Sequence, residues 1–166
     1  EGQPVIPQPG AKNWYGTTLP WMAFGYGVSM TPLQTLSLYN AVANDGKMVK
    51  PIFVSEIKEW NKTIKKYDPE VINPKICSDE TLLKVRKVLE NVVKNGTGKG
   101  LYSADFSMAG KTGTAQVNYG KAEMSYASSF VGYFPADQPK YSCIVVVHNP
   151  DKSKGYYGAD VAGPVF

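Results

Sequence analysis

Six residues, 135–140, are all that separate two largely apolar runs near the end of this chain, 127–134 and 141–148. Returning a strand parallel to its neighbour takes a crossover of about a dozen residues or more, so this link can only turn the chain back and pair the runs antiparallel. A third run, 107–117, comes before them and is joined by a loop containing Gly120. Its expected pairing is antiparallel as well. Segments with helical periodicity precede these strands rather than alternating with them, which predicts an α+β fold, an antiparallel sheet flanked by helices.

The helical segments carry their own start and stop signals. Thr31 is followed by Pro32, suited to the first helical position, and by Gln34, which completes a capping box. A helix over 31–46 is expected, stopping at Gly46, with Leu33, Leu36, Tyr39 or Asn40, and Ala43 on its buried stripe. Ser78 caps a second helix over 78–95, with Asp79 and Glu80 in the first turn, where the helix dipole favours negative charge. Leu82, Val85, Leu89 and Val92 form its expected core stripe, and Gly96 its stop. Between the helices, 51–60 and 63–67 read as a β-hairpin around Asn61-Lys62. Residues 1–24, with four prolines and with Trp14 and Trp21, read as an irregular arm.

Charge and reactive side chains exclude several function classes. The net charge is +4, and the densest basic run, Lys62, Lys65 and Lys66, is interleaved with Glu59, Asp68 and Glu70. That is a solvated hairpin face, and no extended basic stripe marks a nucleic-acid partner. With 166 residues and 43% apolar content the chain can bury one core, and no composition shift divides it into two domains. The apolar run 144–147 is far too short to span a membrane, and no signal peptide is recognisable. Cys77 and Cys143 have neither metal-ligand nor redox spacing and are read as free thiols; His148, the single histidine, ends a strand and is read as structural. Neither a metal site nor a Ser-His-Asp triad has material here, and no cofactor is implied. A phosphate-binding loop ending at Gly110-Lys111-Thr112 would need glycine at Asp105; Gly98-Lys99 runs into Gly100, and a dinucleotide pattern from Gly25 fails at Met30.

The stretch that carries chemistry is Gly110-Lys111-Thr112-Gly113-Thr114. By itself it could be an edge strand protected by a lysine. A Lys-Thr-Gly tripeptide is, however, one of the signatures of serine β-lactamases and penicillin-binding proteins. Its surroundings agree: 93–98 (Val-Lys-Asn-Gly-Thr-Gly) leads to 108–116 (Met-Ala-Gly-Lys-Thr-Gly-Thr-Ala-Gln), in both motif and spacing similar to penicillin-binding transpeptidases. Upstream, 24–34 (Phe-Gly-Tyr-Gly-Val-Ser-Met-Thr-Pro-Leu-Gln) running through 41–47 to Pro51 resembles another block of that family, as do 129–135 and 157–166. Nearly the whole chain is covered, in order.

The resemblance implies a partial serine β-lactamase/penicillin-binding transpeptidase fold, with 1–166 as the C-terminal portion of a single transpeptidase domain. It implies a class B penicillin-binding protein that cross-links peptidoglycan by acyl transfer from a D-alanyl-D-alanine stem peptide through a serine ester, and that β-lactams inhibit. It further implies a location outside the cytoplasmic membrane, an anchor elsewhere in the protein, and membrane-bound cell-wall synthesis or division proteins as partners. Residues 23–27 (Ala-Phe-Gly-Tyr-Gly) before Thr31-Pro32 point to the cell-division type over the elongation type. By family analogy Lys111 supplies positive charge and polarises a proton-relay serine, and Thr112 and Thr114 hydroxyls bind the substrate carboxylate. Gly113 gives backbone clearance for an extended peptide, and the Thr114 N–H is an oxyanion donor. Strand periodicity puts Lys111 and Gly113 on the face opposite Thr112 and Thr114, so one ligand can meet both sets only at the sheet edge.

The nucleophile is expected outside this chain. Ser55-Glu56-Ile57-Lys58 matches Ser-x-x-Lys formally, yet it lies in a strand-like run with Ile52, Phe53 and Val54. The motif needs a helix, where residues three apart share a face and the lysine can deprotonate the serine. No Ser-x-Asn occurs. A β-lactamase or carboxypeptidase relative, and a non-catalytic module that recognises wall peptides or β-lactams, are the alternative readings.

Overall fold

The computed structural model describes residues 2–117 and 124–166, so the Gly120 loop lies outside the described residues. The expected irregular arm contains a short helix, α1, Thr18–Ala23. Pro20 is compatible with it because the first turn has no intrahelical use for its N–H. Val5 pairs with Ser29 through backbone bonds in both directions, which ties the arm to the residues before the next helix.

That helix, α2, runs Pro32–Ala43 and starts on the expected capping box: Thr31 Oγ1 accepts from Gln34 N, and the Gln34 side chain accepts from Thr31 N. It stops earlier than Gly46, because Asp45 (φ 51) and Gly46 (φ 79) take left-handed backbone. Arg86 from the following long helix donates to the Val42 and Ala43 carbonyls and pairs with Asp45, satisfying the exposed end. Ala41 and Val42 are the buried residues of α2, whereas Leu33 and Leu36 are half-buried along a cleft.

A two-residue strand β1, Met48–Val49, pairs antiparallel with β4, Val71–Asn73, a ladder that local patterning does not reveal because its partners are so short. Between them β2, Glu56–Glu59, and β3, Lys62–Lys66, form the expected hairpin in shortened form. Residues 51–54 are not strand, and every residue of β2 and β3 is exposed. Helix α3, Asp79–Lys94, is capped by Ser78, which accepts from Thr81 N at 3.2 Å. Leu82, Leu89 and Val93 are its buried residues, with Val85 half-buried. Val93 replaces the expected Val92 because a step of four from Leu89 keeps the stripe on one face.

The main sheet has the order β5-β6-β7, both pairs antiparallel: β5 Ala109–Val117, β6 Ser125–Phe134 and β7 Tyr141–His148. One face, carrying Ala109 and Tyr133, packs against Val42 of α2 and Leu82 and Leu89 of α3. The other carries Phe130, Val145 and Val147 and packs against Val93 and the C-terminal turn, helix α4 (Gly158–Val161) followed by Gly163–Val165, through Ala162 and Phe166. Phe130 and Tyr133 are completely buried, each contributing on the order of 2 kcal/mol of hydrophobic stabilisation. The α+β architecture thus holds β5 at the sheet edge, between two helical layers.

Candidate active-site strand

Strand β5 pairs with β6 on one side, and among the described residues no strand pairs with its other side. Lys111, opposite Val131, and Gly113, opposite Ser129, share the Tyr133 face; Thr112, opposite Phe130, and Thr114, opposite Ser128, share the Phe130 face. The lysine nonetheless reaches the threonine set by curling round the open edge: its Nζ lies 2.8 Å from the Thr112 carbonyl and 3.3 Å from Thr112 Oγ1. The edge is therefore where an ammonium and a hydroxyl from opposite faces come together.

Both hydroxyls of the strand are held by groups from elsewhere in the chain. Thr112 Oγ1 is 2.8 Å from Thr97 Oγ1, on the turn after α3, and Thr114 Oγ1 accepts from the Gly158 N–H at 3.1 Å, at the start of α4. A side chain at Gly113 would press on a small neighbour: a Cβ there would stand 2.5 Å from Ser129 Oγ. Gly158 is required more strictly, since a Cβ on it would run into the carbonyl oxygens of Ser129 and Gly113. Ser128 is buried beneath the same turn and donates to the Tyr156 carbonyl. Tyr156 donates to the Tyr157 hydroxyl, and that bond raises the Tyr156 pKa.

Thr97, Ser129 and Gly158 are site neighbours that sequence reasoning did not single out. Each lay within a block that carried the family resemblance, but their contacts with β5 span 15, 16 and 44 positions. The only local signals were the glycines flanking Thr97 and the glycine at 158 itself. Ser55, the formal Ser-x-x-Lys serine, is exposed, and its carbonyl accepts from Tyr67 N across the hairpin. Its nominal partner Lys58 is paired with Glu56 at 2.6 Å. Neither a helix nor a free lysine is available to activate it.

Strand β5 presents these side chains along an edge that no described strand covers. A cleft of 550 Å³ lined by Asn40, Lys47, Tyr141 and Ser142, and an apolar one of 330 Å³ between α2 and α3, are lined by other residues than Lys111–Thr114. No cluster of His, Cys, Asp or Glu among the described residues could hold a metal ion, and no described helix is long and apolar enough to cross a membrane. Cys77 and Cys143 are free. His148 stands at the exposed end of β7.

Comparison with known proteins agrees with this architecture. The chain is 39% identical over 150 residues to stage V sporulation protein D of Bacillus subtilis, covering 86% of this chain and 22% of that protein. It is 32% identical to the peptidoglycan D,D-transpeptidase FtsI of Buchnera aphidicola, covering 93% and 26%. It therefore spans about a quarter of the length of these relatives. Among solved structures, apo penicillin-binding protein 3 from Mycobacterium tuberculosis superposes with a TM-score of 0.81 at 32% identity, over 100% of this chain and 39% of that one. The ampicillin complex of that protein gives 0.80 at 31% identity, over 99% and 38%. The family model for the penicillin-binding protein transpeptidase domain matches residues 7–166, and the chain belongs to that family, in its class B branch.

Proposed function

We propose that this chain forms the substrate-holding wall of a serine D,D-transpeptidase that cross-links peptidoglycan and is acylated by β-lactams. The observation that carries the reading is the convergence at the β5 edge of the Lys111 ammonium with a threonine hydroxyl, beside a second hydroxyl on Thr114. A free carboxylate next to a scissile amide needs such a group of donors.

In this reading an extended peptide ending in D-alanyl-D-alanine lies along β5 as an added strand. A serine supplied by another part of the protein attacks the penultimate carbonyl. Its oxygen forms the ester, the amide C–N bond breaks, and the departing D-alanine amine takes the proton. An acceptor amine then attacks the ester, forming the cross-link and returning the serine. With a β-lactam the broken C–N bond belongs to the ring, so the leaving amine stays tethered. Thr112 and Thr114 hydroxyls hold the carboxylate, Lys111 supplies positive charge and polarises the proton-relay serine, Gly113 clears the path for the peptide, and the Thr114 N–H is one oxyanion donor.

The segment 23–27 supports a cell-division enzyme. Its setting is extracytoplasmic, with a membrane anchor and membrane-bound wall-synthesis or division proteins as partners. The similarity to a protein solved with ampicillin supports β-lactams as ligands. The test is to incubate the full-length protein with labelled penicillin and map the adduct by mass spectrometry. Stoichiometric attachment to a serine outside residues 1–166 is expected, and an unlabelled full-length protein overturns the reading.

A further inference from the structure

The hydrogen-bond polarity at β5 gives a role to a residue outside the strand. A hydroxyl has one proton and two lone pairs. Thr114 Oγ1 accepts from the Gly158 N–H, which can only donate, so its proton is left for a ligand. Thr112 Oγ1 lies 3.3 Å from the Lys111 ammonium, again a pure donor, and 2.8 Å from the Thr97 hydroxyl, which can donate or accept. Thr97 therefore decides what Thr112 can offer. If Thr97 accepts, the Thr112 proton is occupied; if Thr97 donates, both lone pairs of Thr112 are filled and its proton faces the open edge.

An arriving carboxylate selects the second arrangement, because a hydrogen bond to a charged acceptor is about twice as strong as one between neutral hydroxyls. The turn that carries Thr97 is built to hold it there. Gly96 and Gly98 both donate to the Val92 carbonyl, at 3.1 and 3.0 Å, so the flanking residues are folded onto the last turn of α3. A Cβ at Gly96 would stand 2.9 Å from Val92 Cα, and one at Gly98 3.3 Å from the Val92 carbonyl oxygen. The two glycines allow the close approach that fixes the height of Thr97 against β5.

We infer that Thr97 is a positioning residue for substrate binding: its hydroxyl donates to Thr112 and so aims the Thr112 proton, alongside that of Thr114, at the carboxylate of the acyl donor. The inference rests on the transpeptidase reading of β5. Its range is specific, since it touches only substrates with a free carboxylate beside the reacting amide.

The experiment measures second-order acylation of the full-length protein by benzylpenicillin and by its methyl ester, which lacks the anionic acceptor. In Thr97→Val and Thr97→Ala the constant for the acid is expected to fall about fivefold, the scale of one lost hydrogen bond between neutral hydroxyls, because Thr112 keeps its proton but loses the partner that aims it. That for the ester is expected to stay within about twofold, so the acid-to-ester ratio collapses. Thr97→Ser is expected to restore the ratio. A ratio unchanged in both hydroxyl-free variants, or a loss shared equally by acid and ester, overturns the inference. Absence of acylation in the unsubstituted protein would overturn the transpeptidase reading, and this inference with it.

Discussion

A methyl group added at residue 113 would meet the Ser129 hydroxyl at 2.5 Å, with the Ser129 Cβ as the next nearest atom at 3.9 Å. The obstacle is the end of one small side chain, so Gly113→Ala is expected to cost about 1 kcal/mol, and less than half of that in a Ser129→Ala background. At Gly110 the added atom meets the Val131 carbonyl at 2.6 Å and the Phe130 ring at 2.8 Å, neither of which can give way. Gly110→Ala should cost about 3 kcal/mol and find no rescue at Ser129. Denaturant unfolding of the two glycine variants with and without Ser129→Ala, beside the unsubstituted protein and Ser129→Ala alone, measures both costs, and equal losses at the two glycines would refute the packing argument. Tyr133 makes a different prediction. Its hydroxyl is buried with no hydrogen-bond partner among the described residues, and burial pushes its pKa up to about 12, with Arg86 opposing and Glu90 adding to the shift. The folded state therefore keeps the proton while the unfolded chain releases it near pH 10, so stability is intact below pH 10 and declines up to about pH 12. Tyr133→Phe removes that decline and a desolvated hydroxyl together; it should be at least as stable at pH 8 and relatively more stable, by about 2 kcal/mol, at pH 12. Unfolding at the two pH values checks it. The strand that carries Lys111, Thr112, Gly113 and Thr114 was legible because one short motif holds all four in sequence. Thr97 and Ser129 were not, because their relation to that strand comes from a turn and a register that the sheet defines.

At the scale of elements, legibility followed the strength of local signals. α2 and α3 announce their starts through Thr31 with Gln34 and through Ser78, and both caps are formed. Their ends were less legible, since α2 stops where Arg86, 43 positions from Ala43, takes up its last carbonyls. The same contrast runs through the strands. The short link after β6 dictated its antiparallel pairing with β7, whereas β1 and β4 pair over too few residues to leave a pattern. The hairpin was overextended because Ile52, Phe53 and Val54 have strand propensity but no partner strand; tertiary pairing, not propensity, sets a strand's length. Ser78 provides a direct test. It satisfies the Thr81 N–H and also donates to the Thr81 hydroxyl, at the start of the helix that packs on both Ala109 and Tyr133. Ser78→Ala should lower stability by about 1 kcal/mol. Ser78→Asp should recover most of it, because an aspartate caps as well and adds charge where the dipole favours it. Thermal unfolding of the two variants decides between capping and simple loss of polarity: equal destabilisation would exclude capping.

At the scale of the whole molecule, the proposed function divides holding a substrate from attacking it. The two helical layers fix β5, the turn after α3 and the start of α4 bring Thr97 and Gly158 to it, and the edge is left open. Attack needs a serine whose proton can be taken, and the chemistry of this family asks for a lysine one helical turn away. Ser55 is the single serine in these 166 residues with lysine three positions on. It precedes an exposed strand, and the lysine is bound to Glu56 at 2.6 Å. An exposed serine hydroxyl without a base is a poor nucleophile, so residues 1–166 on their own should bind a β-lactam without opening its ring. The measurement is intact mass after prolonged incubation with penicillin, beside circular dichroism to show that the helices and sheet are formed. No mass increase is expected from the 166 residues, under conditions that acylate the full-length protein completely. A stoichiometric adduct on the isolated chain would mean that one of its own serines is activated, and the division of labour argued from Ser55 and Lys58 would fail.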